Sequence, residues 1–128
     1  MKKIFASLVI CLIVAISANA QNAQAKLTIS NRSDYTITVK VMRAEGGLYT
    51  TRTISAHSSS TVGFTRTGMF YTKTKAQKGL ETLYRQGGTF EMQCDNSGYT
   101  EGTLEFYVSG GSGASGQSIS KAEFEKDY

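Results

Sequence analysis

From Lys26 to Ser109 most apolar residues sit two positions apart, and that period commits the chain to half-buried strands. In "YTITVKVMR", Tyr35, Ile37, Val39 and Val41 fall on one side while Thr36, Thr38 and Lys40 fall on the other. Successive side chains of a strand point to opposite faces, so one row is available for a core and the other for water. Leu27 and Ile29 in "KLTIS", Val62 and Phe64 in "TVGFT", Phe90, Met92 and Cys94 in "TFEMQC", and Leu104, Phe106 and Val108 in "TLEFYVS" repeat the pattern. "YTTRTIS" and "MFYTKTK" add β-branched and aromatic residues that suit strands.

The connections are rich in turn formers. "NRSD" predicts a hairpin joining the first two of these strands, and Gly46 and Gly47 in "AEGGL" predict a second. In "GLETLYRQGG", Leu80, Leu83 and Tyr84 recur at helical spacing ahead of Gly87, which predicts a short helical turn. About seven strands with turns of this kind imply an all-β fold, an antiparallel β-sandwich of the Ig-like arrangement. Tryptophan is absent, which excludes the antibody-type core of tryptophan packed on a disulfide.

Ahead of the strands stands "MKKIFASLVICLIVAISANA": two lysines, an apolar run from Ile4 to Ile16, and the small-residue exit Ala18-Asn19-Ala20. The run of about 13 residues is the length of an export signal and short of a membrane span. Residues 1–20 therefore read as a cleaved signal peptide, 21–25 as a linker, 26–109 as the sandwich, and 110–128 as a Gly/Ser-rich tether with a C-terminal strand or short helix. Ala23-Gln24-Ala25 offers a second exit for cleavage. The expected location is secreted or periplasmic. Without Lys2 and Lys3, 12 of the 14 basic residues face 10 acidic ones, a net +2, and Cys94 is the one cysteine left. So mild a charge does not support nucleic-acid binding, and an internal disulfide is impossible.

Gly111, Gly113 and Gly116 in "YVSGGSGASGQS" have the G-x-G-x-x-G spacing of a dinucleotide loop. That chemistry needs a parallel βαβ unit and an acidic residue about 20 positions on, and the sequence supplies neither. A P-loop would continue Lys then Ser or Thr after Gly116, where the chain has Gln117 and Ser118. The glycines read as a tether, and no cofactor is expected.

"FTRTGMFYTKTKAQKG" places Arg66, Lys73, Lys75 and Lys78 among Phe64, Phe70 and Tyr71 with no acidic residue. Arg66, Phe70, Tyr71, Lys73, Lys75 and Lys78 form a candidate patch for an anionic polysaccharide or lipid, gripped by charge and aromatic stacking. Lysines on an edge strand also block unwanted sheet pairing, which is the simpler reading. Tyr99, in "DNSGYTEG", is the candidate loop contact. The one histidine, His57, stands beside Ser58, Ser59 and Ser60 in what reads as a polar turn, and Cys94 reads as an inward, inert side chain. Glu91 and Glu105 fall opposite the apolar rows, on a solvated face.

In layout, an exported single-domain sandwich with a glycine- and serine-rich final loop resembles the aegerolysin type of lipid-binding sandwich, although the tryptophans typical there are missing. The functional expectation is a non-enzymatic binding or assembly module. It would present the loops at Glu45 to Leu48 and Asp95 to Gly102 to a protein or glycan, or self-assemble through residues 110–128. The alternative is attachment to a membrane or polyanion through the basic and aromatic patch.

Overall fold

Two sheets packed face to face carry most of the described residues. The computed structural model describes residues 5–15, 24–109 and 117–128, the first stretch by its backbone path. The strands are β1 (Phe5–Ala15), β2 (Ala25–Asn31), β3 (Thr36–Arg43), β4 (Leu48–Ile54), β5 (Ser59–Phe64) and β6 (Gly68–Lys78). They continue with β7 (Glu81–Gln86), β8 (Phe90–Met92), β9 (Cys94–Asp95), β10 (Gly98–Ser109) and β11 (Gln117–Ser118), followed by helix α1 (Lys121–Glu125). One sheet has the order β1-β10-β2-β5 with β9 on β10; the other runs β11-β7-β6-β3-β4 with β8 on β6. Neighbours are antiparallel except β10 and β2, which run parallel from Glu101↔Lys26 to Phe106↔Asn31.

The expected alternation builds the core. Leu27, Ile29, Val62, Phe64, Leu104 and Phe106 of the first sheet meet Ile37, Val39, Val41, Ile54, Phe70 and Met92 of the second, all buried. Each such side chain contributes roughly 1.5–3 kcal/mol of burial. The expected strands are present except that "TFEMQC" breaks at Gln93 into β8 on the second sheet and β9 on the first, so Cys94 does not continue the row of Phe90 and Met92; with β1, β7 and β11 added, the described residues contain eleven strands rather than about seven.

Two local expectations are corrected. β2 and β3 do not form a hairpin: β2 pairs with β10 and β5, whereas β3 pairs with β4 and β6 in the other sheet. The link is an arch held by the buried Asn31 amide. Asn31 Nδ2 donates to the carbonyls of Tyr35 (2.7 Å), Ile54 (3.2 Å) and Ser55 (3.0 Å), while its Oδ1 accepts from Ser33 N and Oγ. The turn chemistry was legible, but the side chain reaches across sheets. Likewise, residues 81–86 are strand β7, closed onto β6 from Lys78↔Glu81 to Lys73↔Gln86. Gly79 at φ +60° makes the two-residue turn, with Leu80 fully exposed at its tip. Leu83 packs on the core and Tyr84 lies opposite Lys75 on the outer face, so the helical spacing had no common face to serve.

The segment read as a leader runs antiparallel along β10, from Phe5↔Ser109 to Ala15↔Tyr99. Gly111, Gly113 and Gly116 lie outside the described residues. Beyond them the chain crosses to the second sheet, where β11 pairs with β7. Ser120 caps α1, its Oγ accepting from Glu123 N at 3.1 Å, and Phe124 is buried with its ring centroid 5.5 Å from Tyr84. No helix among the described residues is long and apolar enough to cross a membrane.

Candidate functional site

The β3–β4 turn, the β5–β6 loop and the β9–β10 turn all lie at one end of the sandwich. Ala44 N donates to Met69 O (2.9 Å), and Cys94 N donates to Thr67 Oγ1 (2.8 Å), so β6 and its approach tie the three together. Gly46 and Gly47, at φ +120° and +101°, turn the chain back after Arg43, whose N–H donates to Gly47 O. The register of β3 on β4 then shifts: Val41 pairs with Thr50 but Met42 pairs with Leu48, leaving Tyr49 as the extra residue of a bulge. A bulge re-aims a side chain. Here Tyr49 reaches across to the first sheet, donating its hydroxyl to Gly63 O at 2.7 Å and stacking on Phe64 with centroids 4.9 Å apart and planes 10° apart.

The result is an aromatic floor. Phe70 lies 4.7 Å from Phe64 and 5.3 Å from Tyr49, the latter edge-on, and Phe90 continues the row at 6.3 Å from Phe70. Above it opens a cleft of about 840 Å³, rimmed by Arg43, Glu45, Thr65, Arg66, Thr67 and Met69. The Arg43 guanidinium stands 5.4 Å over the Tyr49 ring. Among the described residues neither Arg43 nor Arg66 forms an ion pair, and both are exposed. Glu45 is the one carboxylate lining the cleft, so its charge balance favours an anion. Guanidinium forks match carboxylate and sulfate oxygens, and the rim hydroxyls of Thr65 and Thr67 suit a polar ligand.

The expected patch is divided among three places. Arg66 and Phe70 belong to the cleft, Phe70 as buried floor and Arg66 as rim. Tyr71 is half-buried on the outer face of β6, opposite Met42. Lys73, expected to be exposed, is 0% exposed: its Nζ donates to Glu123 O (2.8 Å) and Lys126 O (2.9 Å) beneath α1. Lys40, paired with Lys73 across the strands, donates to Phe124 O and Asp127 Oδ1 and lies 4.8 Å from the Phe124 ring centroid. Lys75 is half-buried between Thr38 and Tyr84 on that face. Lys78 is at the far end of β6, roughly 33 Å from Gly68 at 3.3 Å per residue, 3.7 Å from Asp34 Oδ2 and over Tyr35. Tyr99 is not in a loop but on β10, half-buried against the core and opposite Cys94. Cys94 is itself half-buried against the core.

At that far end His57, at φ +58°, holds Asp34 Oδ1 at 2.7 Å. This hydrogen bond, with Lys78 nearby, keeps the Asp34 carboxyl below its ordinary pKa. Ser58 Oγ turns to Ala56 O rather than to the imidazole, so the adjacent serine does not form a nucleophile–base pair. Tyr35 donates to Glu81, and burial, this bond and the nearby carboxylates push its phenol up to about 12. Among the described residues no group of three His, Cys, Asp or Glu side chains could hold a metal ion.

Sequence reasoning missed Arg43 and Tyr49. Tyr49 is the extra residue between Thr50, paired with Val41, and Leu48, paired with Met42, and the local sequence marks only the Gly46-Gly47 turn beside it. Compared with protein-family models, curated proteins and solved structures, the chain matches none.

Proposed function

We propose that this protein is an exported, non-enzymatic binding module on an Ig-like scaffold, and that it holds an acidic glycan in the cleft between the β3–β4 turn and the β5–β6 loop. The observation that carries the reading is the pair of exposed guanidiniums, Arg43 and Arg66, without an ion pair among the described residues, on the rim of an aromatic-floored cleft. Uronic acid or sulfated sugars offer both halves of this chemistry: anionic oxygens for the arginine forks and C–H faces for aromatic rings. Of the stretches expected as the presenting surfaces, Glu45 to Leu48 holds the β3–β4 turn at this end, and Asp95 to Gly102 is a loop only at residues 96–97, the β9–β10 turn, which lies at the same end. Export rests on the character of residues 1–20, and the secreted or periplasmic location belongs to the same proposal.

Titration calorimetry with oligogalacturonate, with a neutral malto-oligosaccharide of equal length and with phosphatidylserine vesicles tests it. The acidic oligosaccharide binds, binding weakens with salt, and R43A or R66A each weakens it about 10- to 100-fold, the worth of one charge-assisted contact. Equal binding of acidic and neutral sugars, or binding of the vesicles alone, would refute the glycan assignment.

A further inference from the structure

The N-terminal strand pairs along one edge of β10, and its sequence differs from that of the other strands. β1 pairs with β10 at eleven registers, yet "FASLVICLIVA" is apolar at both parities of the alternation. The β10 row facing away from the core is Glu101, Thr103, Glu105 and Tyr107, and Glu105 and Glu101 stand at register with Val9 and Ile13. On the sandwich side, Thr74 Oγ1 and Arg85 Nε are buried with no hydrogen-bond partner among the described residues, and they are neighbours across β6 and β7. An unpaired buried donor costs about 1–3 kcal/mol, so this corner suits an occupant that brings an acceptor.

Where that corner lies follows from the sheet orders. With β5 against β4 at one side, β2 faces β3, β10 faces β6, and β1 faces β7. Without β1 the edge of β10 opens, and the inward side of β7, carrying Leu83 and Arg85, overhangs it. The opened edge of β10 carries no proline or lysine to block pairing. The overhang also selects the occupant. A second intact copy pairing β10 to β10 would bring its own β6 to the place where β7 stands. A lone strand meets no such obstacle.

We propose that, once β1 is removed, the vacated edge of β10 receives an extended strand donated by a different polypeptide. That strand runs antiparallel to β10, has apolar residues facing inward with one acceptor for Arg85, and has basic residues opposite Glu101 and Glu105. Main-chain hydrogen bonds to the edge provide affinity, and the alternate side chains provide selection. The inference rests on leader removal, which is part of the proposed export, and is independent of the glycan cleft.

The test uses the full chain with a protease site placed between β1 and β2. After cutting, labelled peptides of residues 5–15 carrying V9K and I13K, V9E and I13E, or a scrambled order of the lysine version are added in excess. The lysine peptide displaces β1 at one per protein and protects the Gly102 to Phe106 amides, the glutamate peptide binds about tenfold more weakly through like-charge pairing, and the uncut chain binds neither. Equal binding of all three peptides, release of β1 with no peptide uptake, or retention of β1 against excess lysine peptide would each overturn the proposal. Mass spectrometry of the protein from its natural source separates the two claims: Met1 still attached overturns both, because β1 then never leaves β10, whereas a chain that begins after β1 but takes up no lysine peptide overturns the seat on β10 and leaves the export reading standing.

Discussion

Lys73→Met isolates the contact that holds the C-terminal segment to the sandwich. Lys73 is 0% exposed, yet it lies on the outer face of β6 and is covered by α1 rather than by the opposite sheet. Methionine keeps most of the apolar stem and removes the two charge-assisted bonds, to Glu123 O and Lys126 O. Bonds of this kind contribute about 1.5–3 kcal/mol each, but removing a buried ammonium also recovers several kcal/mol of desolvation. Water can solvate the two carbonyls once the tail loosens. The net loss is about 1–3 kcal/mol, or about a 5- to 150-fold shift toward the undocked tail. Because the tail packs outside the core, the loss is local. Amide exchange reads it directly: the Ile119, Phe124 and Lys126 amides, bonded to Tyr84 O, Ser120 O and Glu123 O, exchange faster by that factor. The Asn31 and Thr100 amides, bonded to Ser58 O and Gln93 O within the sandwich, keep their rates. Unchanged protection of the tail would refute the latch, and equal acceleration of both sets would make Lys73 a strut of the whole fold.

Asn31→Ala strips donors from three carbonyls at the β2–β3 arch and should destabilise the sandwich by about 2–4 kcal/mol in chemical denaturation; a loss under 0.5 kcal/mol would mean that water replaces the amide there. Gly46→Ala meets no atom within 4 Å but must hold φ near +120°, so backbone strain of about 1–3 kcal/mol should lower the melting temperature although space is free. Stability should fall in acid, since Asp34 and Asp95 have folded pKa values below their ordinary 3.8; their contribution is present above that value and disappears as pH drops through the folded values, and D34N should flatten this limb. Tyr35 has the opposite sign: raised from 10.0 to about 12, its phenol stabilises the fold below pH 10 and loses that contribution as pH rises through 12, a decline that Y35F should abolish in denaturation midpoints.

The alternation of Ile37, Val39 and Val41, or of Leu104 and Phe106, required no tertiary knowledge, because a strand with one dry face has a single way to read. Which strands pair was not legible in the same way. "NRSD" and "AEGG" are equally good turns, yet the first spans two sheets and the second closes a hairpin, and the difference lies in the reach of Asn31 to Ile54 and Ser55. At β7 the local spacing pointed to a helix, while pairing with β6 from Lys73 to Lys78 imposed a strand. Long-range hydrogen bonding outweighed a weak local preference.

The candidate site divides in the same manner. Side-chain type alone marked Arg66 and Phe70, and the scarcity of acid–base groups follows from composition. Tertiary structure decided which basic residues share a surface. A β-strand spreads Gly68 to Lys78 over roughly 33 Å, so residues close in sequence part company. A tail some fifty residues downstream from Lys73 covers it, and a one-residue bulge brings Tyr49 onto Phe64. Alternation is a property of each strand alone; proximity between strands depends on how the whole chain closes, and no local pattern encodes that.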